Sequence, residues 1–259
     1  MPRALLLRSF VQPPWPLLFA AAGLGLALSA LSAERAALPA FCGAGTAGLW
    51  LASGWSDALA LALALNPPVR LSADWALMLL AMMPPLLVMP LVHVWRSSLP
   101  RRRVRALAHF IFSYGAVWMA AGPILIGLAL LLQLIAGDGA FAAALLLATA
   151  WSASPWQRDA LNRGHRLRRI GLFGWAADRD CLSFGATHAA WCVASCWPFM
   201  LVPLVAGRWH VAAMVCAGAV MLAERLAVPD RPRWRLPFFL SLLDCRGALT
   251  PRQDAARHG

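Results

Sequence analysis

The sequence predicts an all-α fold, a polytopic transmembrane helix bundle of about six spans with both termini cytoplasmic. Three observations carry that expectation: scarce charge, regularly spaced apolar runs and an uneven distribution of arginine. Only 13% of the residues are charged, 61% are hydrophobic and the mean hydropathy is +0.65. A water-facing domain carries about a quarter charged residues, so most of this surface suits lipid. The 259-residue length accommodates about six spans of ~20 residues with their loops.

The elements follow in chain order. Residues 1–14 read as a cytoplasmic N-terminus, and the first apolar run covers 15–33. No small-residue cleavage site follows it convincingly, so it reads as a retained anchor rather than a signal peptide. Residues 36–72 are apolar but broken by glycines, Pro39 and Asp57. A single extra span there would invert every later loop, so an interfacial or re-entrant outer segment is expected. A tight hairpin giving eight spans is the alternative that keeps the parity. Further runs cover 73–95, 107–135, 139–153, 184–206 and 209–226. The fourth of the six runs is short and needs extension or local bilayer thinning. The bundle as a whole occupies 15–230, and 231–259 reads as a basic cytoplasmic tail.

Arginine sets the orientation, because the chain contains no lysine. Arg3 and Arg8 precede the first span. Arg96, Arg101, Arg102, Arg103 and Arg105 fill the loop after the second. Arg158, Arg163, Arg166, Arg168, Arg169 and Arg179 fill the loop after the fourth, and seven arginines follow from Arg225 onward. The alternate loops hold only Arg35, Arg70 and Arg208. This 20-to-3 asymmetry places the arginine-rich side in the cytoplasm, because positive residues are retained there. The expected location is the inner membrane, with lipid as a partner of the basic loops.

The same distribution excludes nucleic acid as a partner, although the net charge is +12 and the pI near 11.3, since the arginines sit in short loops between apolar runs. No phosphate-binding loop, dinucleotide fingerprint or H-E-x-x-H segment is present, so nothing points to a hydrolase or to coupling with ATP. Cys42, Cys181, Cys216 and Cys245 lack ligand spacing and read as structural thiols.

The chemistry-bearing pattern lies in the fifth span. His188, Cys192, Cys196 and Met200 recur every four residues, so the stripe drifts only ~40° per step and holds one helix face. Imidazole, thiolate and thioether suit Cu(I), and to a lesser degree Zn(II) or another soft transition metal. In the second span Trp75, Met78, Met82, Met89 and His93 project within roughly 60° on a continuous helix, with Met83 about 100° from Met82. Met78, Met82, Cys196, Met200 and Met214 then lie at one depth. His210 opens the sixth span as an entry ligand or an interfacial polar residue. Packing alone also explains methionine and cysteine stripes. Three functions remain open: a metal-handling membrane protein serving transport or delivery, a thiol oxidoreductase using Cys192 and Cys196, and a structural subunit. Whether the chain is an enzyme and how it oligomerises stay undetermined.

Two segments resemble a known family. The second span carries Trp75, Met78, Ala81, Met82, Met83 and Pro85, and the third Tyr114 and Trp118. The fifth reads His188, Cys192, Cys196, Trp197, Met200, and Glu224-Arg225 ends the sixth. Together they resemble the bacterial family described as predicted metal-binding integral membrane proteins, a domain of otherwise unknown function, over roughly 73–230. The resemblance implies an intramembrane metal site, with copper favoured, and a protein partner that gives or receives the metal. Two departures stand out. Ser195 replaces one of an adjacent cysteine pair, and the family's cytoplasmic C-L-x-x-C reads Ala160-Leu161-Asn162-Arg163-Gly164. The resemblance therefore implies no thiol relay through that loop here.

Overall fold

The computed structural model describes residues 14–35, 67–227 and 231–234. The expected outer segment lies largely outside the described residues. Every regular element among the described residues is helical. They are α1 (Trp15–Arg35), α2 (Pro68–Met82), α3 (Val88–Ser97), α4 (Arg103–Ala136), α5 (Ala140–Ala153), α6 (Pro155–Gly164), α7 (Gly174–Val205) and α8 (His210–Leu226), with short 3-10 turns between several of them.

Four stretches are long and apolar enough to cross a membrane: Trp15–Ser32, Pro100–Ala153, Gly174–Val205 and Gly207–Leu226. The pair Pro68–Met82 and Pro84–Ser97, bent by 57°, makes a fifth. Pro100–Ala153 contains a reversal. Gly137 adopts φ +52° at the end of α4, a conformation that L side chains rarely enter. Trp151 of α5 then bonds to Ala194 of α7, close to where Tyr114 of α4 meets Cys192. The two helices therefore run back along one stretch of α7.

The second apolar run is not the continuous helix its length suggests. Pro84 and Pro85 supply no N–H, so α2 stops at Met82 and a 3-10 turn, Pro84–Leu87, carries the chain into α3. The bend corrects the projected face. Trp75, Met78 and Met82 are buried, but Met89 is 62% exposed, because the face does not continue across the break. His93 is turned to the carbonyl of Arg168, to which its Nε2 donates at 2.8 Å.

Helix α7 forms the centre. Of its spanning window 67% is buried, against 17–22% for the other three stretches. Its crossing with α4 is tight: a Cβ on Gly185 would overlap Ser113 Oγ and come within 2.5 Å of the Phe110 carbonyl oxygen. Small residues permit such close backbone approach. At the arginine-rich end the same two helices are clasped by charge. Buried Asp178 accepts from Arg102 Nη2 at 2.8 Å and Arg105 Nη2 at 2.7 Å. Large apolar side chains such as Leu17, Phe112, Ile124 and Leu146 cover the outside of the bundle.

Candidate metal centre

Cys192 and Cys196 lie one turn apart on α7 and both are buried, unbridged thiols. Their sulfur atoms are 3.8 Å apart. The Cys196 thiol donates to the carbonyl of Cys192 at 2.6 Å, and Ser195 Oγ donates to the same oxygen at 2.9 Å. Tyr114, from α4, brings its hydroxyl to 3.3 Å from Cys192 Sγ and 3.4 Å from Met83 Sδ. The Met83 and Cys192 sulfurs are therefore no further apart than the sum of those two distances.

This spacing has a coordination consequence. Metal–thiolate bonds of roughly 2.3 Å, the zinc value, close an angle of about 110° across a 3.8 Å gap. That is bent, so two thiolates at this spacing leave room for a third donor. Met83 offers a thioether on the other side of the Tyr114 hydroxyl, and soft sulfur donors are what Cu(I) prefers. The residues present thus suit a soft cation.

The pair borders a small cavity of about 10 Å³ lined by Leu86, Met221, Glu224 and Arg225 as well as both thiols, room for about one water-sized particle. Glu224 is buried but not unpartnered: it accepts from Ser152 Oγ and from Gln157 Nε2, the latter at 2.5 Å. These bonds anchor α8 to the α5–α6 junction, where Ser154 caps α6 through the Gln157 N–H. Arg225 Nη2 lies 3.5 Å from His188 Nε2. A guanidinium only donates, so the imidazole nitrogen accepts. Gly164 completes the packing, since a Cβ there would lie 2.5 Å from Arg225 Nη1. The arginine fills the volume beside the position where the related family pattern places a cysteine.

All seven residues expected at the metal site, His188, Cys192, Cys196, Met200, Met78, Met82 and Met214, are buried. The two cysteines are brought together by direct contact. His188 sits among the rings of Phe110, Tyr114 and Phe184, with Arg225 on its Nε2. Met78, Met82, Met200 and Met214 pack into the same apolar core. Among the described residues, no group of three or more His, Cys, Asp or Glu side chains gathers as a metal site. His210 Nδ1 donates to the Pro203 carbonyl at 2.8 Å. Sequence reasoning left Met83 out of the site because it projects about 100° from Met82 on a continuous helix, yet both methionines are buried. Its place in the Trp75, Met78, Ala81, Met82, Met83, Pro85 pattern of the second span was the available signal.

An all-helical bundle with a buried thiol pair and a neighbouring thioether defines a protein whose core suits a soft metal. A family model described as copper chaperone, PpoB2, matches residues 72–243, two thirds of the chain. The chain belongs to this family of copper chaperones. No curated protein and no solved structure matches the chain.

Proposed function

We propose that the chain is a multi-pass inner-membrane copper chaperone that carries one Cu(I) on Cys192 and Cys196, with Met83 as third sulfur donor. The observation that carries this reading is the 3.8 Å thiol pair beside a thioether, joined through the Tyr114 hydroxyl. Copper is cargo here rather than a resident cofactor. A thiolate pair on one helix with a neutral thioether can hold Cu(I) and release it by ligand exchange to a receiving protein. Met78, Met82, Met200 and Met214 then belong to the apolar core in which the pair is buried, and His188 lies one helix turn before Cys192.

Membrane insertion is part of the reading. It is supported by the apolar helices and by the 20-to-3 arginine asymmetry. Six spans with cytoplasmic termini place the thiol pair within the bundle, nearer the arginine-rich side, because Arg225 and Leu161 share its cavity.

Titrating the purified chain with Cu(I) against a chromophoric chelator tests the proposal. One equivalent should bind tightly, and the Cys192→Ser, Cys196→Ser double variant should bind none. Equal binding by both proteins would overturn it.

A further inference from the structure

A second cavity opens one helix turn from the thiol pair, on the arginine-rich side. It is a cleft of about 320 Å³ between α6, the following loop and α7, lined by residues that include Arg163, Arg166, Arg168, Thr187, His188 and Trp191. That volume falls at the lower end for small-molecule sites, roughly 300–1,000 Å³.

Its charge is unbalanced. Arg163 pairs with Asp159, also on the cleft wall, at 2.9 Å and lies over the Trp191 ring at 4.8 Å. Arg168 Nη1 is held by the hydroxyls of Ser183 at 2.8 Å and Thr187 at 3.3 Å. Among the described residues, neither Arg166 nor Arg168 forms an ion pair. Two positive charges therefore face one compensated pair, and a cleft lined by one sign of charge concentrates the opposite ion. Guanidinium groups in addition match carboxylates in two-point hydrogen bonds.

The inner wall is His188, and Arg225 joins that histidine to the thiol cavity, because it contacts His188 Nε2 and lines the space around Cys192. A cleft serving only a lipid headgroup has no need of that connection. We infer that this cleft is the cytoplasmic portal of the copper site, and that it binds a small anionic thiol carrying Cu(I). The inference rests on the copper reading above. In the exchange the carrier's Cu–S bond breaks and a Cu–S bond to Cys192 forms. The Cys192 proton passes to the carrier sulfur, which leaves as a thiol; Cys196 then adds to the copper as its own proton passes to solvent, and copper stays in the +1 state throughout.

The test uses the full chain in discs of neutral lipid. Cu(I) is offered on glutathione, an anionic thiol, or on 2-mercaptoethanol, a neutral one. Initial transfer should be about tenfold faster from glutathione at low salt, and the advantage should shrink as salt rises. Arg166→Glu should bring the ratio of the two rates towards one, and Arg166→Gln should fall between. In a metal-free arm, equilibrium dialysis of labelled S-methylglutathione should show saturable binding that Arg166→Glu abolishes. Equal rates from both carriers in the unaltered chain, or no saturable binding in the metal-free arm, overturns the portal. Loss of co-purifying anionic phospholipid in Arg166→Glu with an unchanged rate ratio also overturns it, in favour of a headgroup site. Saturable S-methylglutathione binding without copper uptake from either carrier instead overturns the copper reading, and the exchange step with it.

Discussion

The indole N–H of Trp151 donates to the carbonyl of Ala194 at 3.1 Å. That carbonyl lacks its helical partner because Pro198, four residues on, has no N–H. A proline inside a helix frees a carbonyl that a buried polar site could use. The structure instead assigns that oxygen to α5, whose Trp151 also meets Trp197 edge-on at 5.4 Å. The proline thus fastens α5 to the central helix beside the cysteines without entering their chemistry.

Trp151→Phe should therefore destabilise the bundle by about 1 kcal/mol, the low end for an unsatisfied acceptor because the bond is only partly buried, while copper stoichiometry stays at one. Thermal unfolding in detergent measures the first and chelator competition the second. An unchanged melting temperature would show that water or another donor satisfies Ala194.

Asp178→Asn should loosen the junction of α4 and α7. The carboxylate is buried while Arg105 is largely exposed and Arg102 partly so, and breaking a fully buried pair costs about 3–5 kcal/mol. Partial exposure reduces that to about 2 kcal/mol. Protease susceptibility near residue 102 should rise accordingly, and a variant as resistant as the parent contradicts the clasp.

Much of this was legible in the sequence, and the failures have definite causes. Apolar run lengths gave helices α4, α5, α7 and α8, because each is a long uninterrupted apolar stretch. The four-residue stripe gave the Cys192–Cys196 pair because i and i+4 share a helix face. What the periodicity hid was the break at Pro84–Leu87, which exposes Met89. Helix α6 was hidden too, since its ten residues are polar and read as loop. Asp178 and Glu224 drew no site assignment because single acidic residues acquire meaning only from partners distant in sequence, Arg102 and Arg105 for one, Ser152 and Gln157 for the other.

The proposed topology rests on the arginine count and is open to direct test. Reporter fusions after Arg103, after Arg169 and at the C-terminus should report the cytoplasm, and fusions near Asp138 and Gly207 the outside. Opposite locations for the Arg103 and Arg169 fusions would remove the six-span arrangement.

Tyr114→Phe should keep the core packed but remove the hydroxyl that joins Met83 to Cys192. Groups that orient metal ligands typically alter affinity by about 10–100-fold when lost, so Cu(I) affinity should fall by at least about tenfold with stoichiometry unchanged. Identical affinity in both proteins means the hydroxyl plays no part in arranging the sulfurs.

X-ray absorption at the copper edge of the Cu(I)-loaded chain counts the sulfur donors on the metal. Three sulfur neighbours are expected, reduced to two in Met83→Leu and replaced by nitrogen or oxygen in any copper left on the Cys192→Ser, Cys196→Ser variant. A first shell of nitrogen or oxygen in the unaltered protein would contradict it.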